Sequence, residues 1–322
     1  MASPVCPLYS CGGWVKNHRP GSLCGHCRHG AALEHGYWTG EMQRIVSIST
    51  VAYDGYALEV ALRHMAALEL KYVEIAYIRG YMDPFGEEAF TDTRARGLES
   101  CLRATGLRCH AFSSHLDLGT KGVVDVFKRR MDFAARLGAR IVISNAAAKA
   151  GEAAFFENIT PIAERASSNG LLIALENPGT GPEDLFDTGQ AGAELIRRLG
   201  IPGIGLNYDF ANLISRTGNR IRPEEDLQPA LPYCLHVHIK DVAEDPRSPG
   251  WIHTPIGMGI IDYRTVLTGL RSVDIPLSLE IPLRLRRDPT GSPDRLPLPV
   301  TLHRITNVLR QSLAYVQAAL RD

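Results

Sequence analysis

The sequence predicts one α/β domain, a closed (β/α)8 barrel behind a short N-terminal extension, and three observations predict it. Strand-like and helix-like segments alternate strictly from Arg44 onward. The strand-like segments are near-continuous apolar runs, as in parallel strands whose faces are both covered by helices. Eight such units fit the available length, the number that closes a sheet and leaves no unpaired edge, which favours a barrel over an open, doubly wound sheet.

Each unit has its own signal. Arg44 to Thr50 reads as the first strand and Tyr56 to Leu68, with apolar residues at helical spacing, as the first helix. Lys71 to Tyr77 and Thr93 to Ala104 repeat the pair, and Gly106 stops that helix. Leu107 to Ser113, then Val123 to Leu137, form the third unit; Gly138 leads into the strand Ala139 to Ser144 and the helix Glu152 to Ser168. Gly170 precedes the fifth strand, Leu171 to Glu176, whose helix is Ala191 to Leu199. After Gly200 come the strand Ile201 to Tyr208, a short helix Pro223 to Leu231, and the seventh strand, Cys234 to Ile239. Tyr263 to Leu270, Ile275 to Ile281 and His303 to Leu320 complete eight strands and eight helices. The longest stretches without periodicity, residues 78–89, 177–189, 243–259 and 282–298, all follow strands, which places them at the C-terminal mouth where barrel active sites are built.

Composition narrows the partners. Lys plus Arg (35) balances Asp plus Glu (35), so nothing favours nucleic acid or an acidic membrane, and small polar ligands are expected. No apolar run reaches the roughly 18 to 20 residues of a spanning helix, and the N-terminus lacks a secretory apolar segment, so the expected location is cytoplasmic. Whether copies of the chain associate into a homo-oligomer is left open. Cys6, Cys11, Cys24 and Cys27 crowd the first tenth of the chain as C-x4-C and C-x2-C. Thiolates favour tetrahedral zinc, so a small structural Zn2+ site is one reading. The preferred one is a poorly ordered extension over residues 1–41 with the barrel at 42–322, because no apolar pattern flanks the cysteines to pack around an ion.

The strand ends carry the chemistry. The fifth strand ends in Glu176-Asn177, the sixth in Asn207-Tyr208-Asp209, the seventh in His236-Val237-His238-Ile239-Lys240-Asp241 and the eighth in Leu279-Glu280. A carboxylate inside an apolar strand is costly unless paired or bound to a cation. Three carboxylates and one imidazole at one rim suit a hard divalent ion, Mn2+ foremost, with Mg2+ or Co2+ as alternatives. His236 and His238 share a face, but His236 lies ~6.5 Å deeper by the strand rise, so His238 is the expected ligand.

These residues also carry a resemblance. Leu175-Glu176-Asn177, Gly205-Leu206-Asn207-Tyr208-Asp209, His236 to Asp241, Pro255-Ile256-Gly257-Met258-Gly259-Ile260-Ile261-Asp262 and Ser278-Leu279-Glu280 resemble the xylose isomerase-like TIM-barrel superfamily, which holds sugar phosphate isomerases and epimerases, dehydratases and endonuclease IV. The resemblance implies metal ligands at Glu176, Asp209, His238 and Glu280, with the two glutamates also acting as an acid/base pair. Many relatives have a histidine three residues after the sixth-strand Asp; here it is Asn212. His253 matches a ligand of the trinuclear nucleases, but Trp251 stands where its Asp partner is expected, which argues against a nuclease.

The expected reaction is isomerisation or epimerisation of a ketose or related polyhydroxy carbonyl compound through an enediolate stabilised by the divalent ion. Alternatives are a dehydratase or lyase on a keto-cyclitol, dehydroshikimate-like or 3-keto-glycoside substrate, and a non-catalytic binding subunit. His115, Asn212, Lys240, Trp251 and His253 are the expected substrate contacts, while Arg284, Arg286 and Arg287 read as a solvated loop. Removing residues 1–41 should leave turnover largely unchanged; loss of metal content or solubility on truncation would instead support the cysteine zinc site.

Overall fold

A computed structural model describes residues 44–321. Cys6, Cys11, Cys24 and Cys27, with the rest of the extension, lie outside the described residues. In chain order the strands are β1 (Val46–Ser49), β2 (Tyr72–Ala76), β3 (Arg108–Ser113), β4 (Ile141–Asn145), β5 (Leu172–Glu176), β6 (Ile204–Asp209), β7 (Cys234–Ile239), β8 (Asp241–Glu244), β9 (Trp251–Thr254), β10 (Leu277–Leu279), β11 (Leu285–Arg287) and β12 (Pro293–Arg295). The helices are α1 (Leu58–Ala66), α2 (Asp92–Thr105), α3 (Val123–Arg136), α4 (Glu152–Ser168), α5 (Gly189–Leu199), α6 (Phe210–Thr217), α7 (Pro223–Ala230), α8 (Tyr263–Leu270) and α9 (Leu302–Arg321).

Eight parallel strands close in the order β1-β10-β7-β6-β5-β4-β3-β2, the barrel that the alternation predicts. Closure falls between β1 and β10, where Val46, Ser47 and Ile48 pair with Leu277, Ser278 and Leu279. Four of the glycines read as helix stops, Gly106, Gly138, Gly170 and Gly200, have φ of 71°, 83°, 66° and 60°, a left-handed backbone that ends a helix and turns the chain back to the sheet. The outward strand residues, among them Ile75, Phe112, Ile173, Leu175, Val237 and Ile239, are buried beneath the helices in one large apolar cluster. Inside the barrel a smaller cluster, Ala111, Ile141, Ile143 and Ala174 with Leu235 against it, forms an apolar floor. Leu235 reaches that floor through an irregularity in the β6–β7 register after Leu206. Gly205 makes the room, since a Cβ there would lie 2.6 Å from Leu235 Cγ.

Two features depart from the sequence expectation. The stretches 243–259 and 282–298 are not irregular throughout: they contribute a second, antiparallel sheet of order β12-β11-β9-β8 above the mouth. Its strands are three or four residues long and interrupted by Pro and Gly, too short for an alternation to show. A ninth helix, α6, also follows β6 directly. Seven of its eight residues are buried, and eight residues are fewer than a helical period needs to declare itself; Asp209 caps it by accepting from Asn212 N at 2.8 Å.

Asp241 ties the two sheets together. Its fully buried carboxylate accepts from the backbone N–H groups of Val242 at 2.9 Å, Gly257 at 3.0 Å and Gly259 at 2.9 Å. A Cβ on Gly259 would fall 2.1 Å from Asp241 Oδ1, so the turn fits the carboxylate only as glycine. Asp241→Asn sets an amide N–H2 against these donors and should lower unfolding free energy by about 2–3 kcal/mol, read as a reduced urea midpoint; an unchanged midpoint would contradict this role.

Candidate active site

Strand alternation delivers four ionisable groups to one point at the mouth. Glu176 ends β5, Asp209 ends β6, His238 lies near the end of β7 and Glu280 follows β10; all are buried, and one ligand atom from each lies within 4.8 Å of the others. His238 Nδ1 stands 2.8 Å from Glu176 Oε2, 3.5 Å from Glu280 Oε2 and 3.7 Å from Asp209 Oδ2. For an ion with oxygen or nitrogen ligands at about 2.1 Å, adjacent ligand atoms sit roughly 3 Å apart and opposite ones roughly 4.2 Å apart, so these spacings fit one cation. The bonding agrees. His238 Nδ1 and Glu280 Oε1 make no hydrogen bond among the described residues, although Nδ1 is close enough to Glu176 for one.

A second layer holds these groups in place. Glu74, inside β2, accepts from His238 Nε2 at 2.9 Å and from Ser113 Oγ at 3.0 Å. This bond occupies Nε2 and turns Nδ1 toward Glu176, Asp209 and Glu280, the arrangement by which a carboxylate orients a metal-binding histidine. Glu176 accepts from Asn212 Nδ2 at 2.9 Å and from Asn207 Nδ2 at 2.5 Å, while His236 Nδ1 meets Asn207 Oδ1 at 2.9 Å. The deeper histidine therefore positions the asparagine that positions the glutamate. Asn177 bonds both ways with the Asp209 backbone, accepting from its N–H at 2.8 Å and donating to its carbonyl at 2.9 Å. Lys240 Nζ lies 2.7 Å from Asp209 Oδ2 and 2.6 Å from Glu280 Oε2.

Burial and charge set the protonation states. Burial disfavours the His238 cation, but Glu74, Glu176 and Glu280 outweigh it and hold the imidazole well above its ordinary range. Burial also opposes ionisation of Glu176, yet His238 and His115 bring its carboxyl below the ordinary value. In Glu280 burial wins against Lys240 and His238, and its carboxyl is pushed up to about 7. Burial takes His236 down to about 3, so it is neutral.

The remaining sequence candidates are placed unequally. His115 Nε2 lies 3.7 Å from Glu176 Oε2, and Asn212 and Lys240 bond directly to the four-group cluster. His253, on β9, is buried and held neutral by burial, then by Lys240 and Arg287. Trp251, half-buried on the same strand, pairs through its backbone with Glu244 and Arg287 and makes no side-chain hydrogen bond among the described residues. The solvated reading is corrected for Arg284 and Arg287. Arg284 and Arg287 are 8% and 2% exposed on or beside the mouth sheet, Arg284 bonded to Asp54 and to the carbonyls of Leu296 and Pro297.

Sequence reasoning missed the roles of Glu74 and Asn207. Glu74 had a signal: it is a carboxylate inside the apolar run Lys71 to Tyr77, as Glu176 and Glu280 are in theirs.

Because the carboxylates hold His238 protonated in the metal-free protein, loading a cation displaces that proton, and affinity should rise with pH while His238 titrates. Calorimetry of Mn2+ binding in buffers of different ionisation enthalpy should report proton release; a buffer-independent enthalpy would contradict it. Glu74→Gln should weaken Mn2+ binding by about 10- to 100-fold.

Comparison with known proteins places this geometry. The chain matches the family described as "Xylose isomerase-like TIM barrel" over residues 62–296. Among curated proteins none matches. Among solved structures, D-psicose 3-epimerase with D-tagatose from Clostridium cellulolyticum H10 superposes with a TM-score of 0.66 at 14% identity, covering 86% of this chain and 100% of that one. The probable 3-DHS dehydratase AsbF from Bacillus anthracis gives 0.61 at 16% identity, covering 85% and 98%. A xylose isomerase-like TIM barrel protein from Mycobacterium smegmatis in complex with magnesium gives 0.63 at 18% identity, covering 86% and 96%. At these identities the likeness is one of fold. Among the described residues no helix is long and apolar enough to cross a membrane. With the family matched over most of its length, the chain belongs to the xylose isomerase-like TIM barrel family.

Proposed function

We propose that this protein is a divalent-metal-dependent isomerase or epimerase of a polyhydroxy carbonyl compound. The observation that carries the reading is the buried convergence of Glu176, Asp209, His238 and Glu280, supported by the family's epimerase neighbour and by the neighbour solved with magnesium. These four residues are the metal ligands, and Mn2+ is the preferred ion for a set of three carboxylates and one imidazole. When bound there, the ion polarises a carbonyl and acidifies the adjacent C–H.

The acid/base work falls to the chain's own glutamates. Glu176, held ionised by its histidine neighbours and fixed by Asn207 and Asn212, takes the proton from carbon. Glu280, whose carboxyl burial raises to about 7 while no ion is bound, is the second glutamate of the cluster and returns a proton to the resulting enediolate. Delivery to the opposite face of the same carbon epimerises, and delivery to the neighbouring carbon isomerises. Lys240 fixes Asp209 and Glu280 in place through its two ion pairs, and His115 and His253 offer neutral imidazoles to substrate hydroxyls.

Elimination is the second reading. The same enediolate loses a β-hydroxyl as water if an acid stands beside it, and one structural neighbour is described as a probable dehydratase. An enone absorbance separates this product from an epimer.

In deuterium oxide, the Mn2+-loaded protein should exchange the carbon-bound hydrogen of an accepted ketose. Glu176→Gln and Glu280→Gln should each slow that exchange by at least about 100-fold while still unfolding cooperatively. Wild-type exchange in either variant would remove the glutamates from these roles.

A further inference from the structure

Arg287 is a buried cation without a carboxylate. It is 2% exposed, and among the described residues no Asp or Glu oxygen lies within 4.0 Å of its guanidinium. Arg284 and Arg295, by contrast, are paired with Asp54. Burying an unpaired guanidinium is costly, so a fold that does so has a use for the charge. Backbone surrounds it closely. A Cβ on Gly179 would lie 2.9 Å from Arg287 Nη2, one on Gly250 would lie 2.0 Å from the Arg287 carbonyl, and Gly291, at φ +82°, turns its carbonyl to accept from Nη1 at 2.6 Å. Nη2 donates to the Tyr81 hydroxyl and to Asn212 Oδ1 at 3.3 Å. Of the five guanidinium N–H donors, two therefore have no acceptor among the described residues.

The group faces the active site. One side-chain amide, that of Asn212, separates Arg287 from Glu176, with Asn212 Nδ2 donating to Glu176 Oε1 at 2.9 Å. Tyr81, which Arg287 touches, also lies in the field of Lys240, Glu280 and Asp209. The cation thus stands at the rim of the four-group cluster, within reach of the far end of a sugar-sized molecule whose carbonyl faces Glu176 and Glu280. Lys240 is committed to Asp209 and Glu280 and is not free to share a ligand's charge. A guanidinium donates to carboxylate and phosphate alike, but with Lys240 committed to Asp209 and Glu280 this single cation balances the one charge of a carboxylate and not the nearly two of a phosphate monoester.

We infer that Arg287 receives a carboxylate of the substrate, so that this centre takes a keto sugar acid rather than a neutral ketose. The inference rests on the function proposed above, and its test is a binding measurement that needs no turnover. Calorimetry of the Mn2+-loaded full chain compares a keto-gluconate, fructose, and fructose phosphorylated on its primary hydroxyl. The keto-gluconate should bind at least about tenfold more tightly than either of the others. Arg287→Met should weaken keto-gluconate binding at least about tenfold more than fructose binding, because the hydrogen bonds to Gly291, Tyr81 and Asn212 that go with the side chain bear on both ligands alike. Arg287→Lys, which keeps the charge without the fork, should recover part of that loss, and Arg286→Ala, on the opposite face of β11, should leave the preference intact. Equal binding of all three compounds, preference for the phosphate, or equal weakening of charged and neutral ligands by Arg287→Met would each overturn the assignment. Absence of carbon-bound hydrogen exchange alongside intact keto-acid binding would count against the catalytic reading and leave Arg287's role standing.

Discussion

The constraint on which the site depends is electrostatic: Glu74, Glu176, Asp209 and Glu280 are buried together at one end of an apolar barrel, each 2% exposed or less. Four carboxylates in such a place repel one another and lose their hydration, and neither cost is tolerable without cations among them. The chain supplies two within the cluster, a raised His238 and Lys240. A divalent ion would supply the rest at the point where ligand atoms already lie at ligand-to-ligand spacing. The hydrogen bonds around the cluster, from Glu74, Asn207, Asn212 and Ser113, follow from that need, since each fixes a charged group in the one orientation that avoids its neighbours.

The barrel divides labour by depth. Ala111, Ile141, Ile143 and Ala174 make a floor without polar atoms on their side chains. Above it, His236 and Asn207 form a neutral layer, and Glu176, Asp209, His238 and Glu280 stand above that at the strand ends, with Glu74 reaching His238 from inside β2. The mouth sheet adds a final layer that carries His253 and Arg287, anchored to the barrel where Asp241 gathers the Gly257 to Gly259 turn. Position in β7 therefore separates the two histidines: His238 reaches the charged layer, and His236 supports it from below.

How much of this was legible in the sequence followed from how local each signal is. The barrel was legible because helix stops such as Gly106 and Gly200 and the apolar strands repeat with a fixed rhythm. The groups at the strand ends were legible because Glu176 and Glu280 interrupt apolar runs and His238 alternates with Val237 and Ile239. Glu74 carries the same signal, but it falls inside β2 rather than at a strand end, and its partner, His238, is 164 residues away. Arg287 and β9 were hidden for another reason: strands of three or four residues in Pro- and Gly-rich chain carry no periodicity, and whether an arginine is solvated or buried depends on the backbone around it. Asn212 donates to Glu176 at 2.9 Å, a geometry that no spacing along the chain encodes.

The central claim is that the four-group cluster is a single cation site held by His238. Metal analysis of the purified full chain after Mn2+ loading and gel filtration tests it most directly, beside His238→Gln. The account predicts one ion per wild-type chain and none retained by a folded variant; a wild-type chain without bound ion, or a variant that keeps it, would contradict the claim.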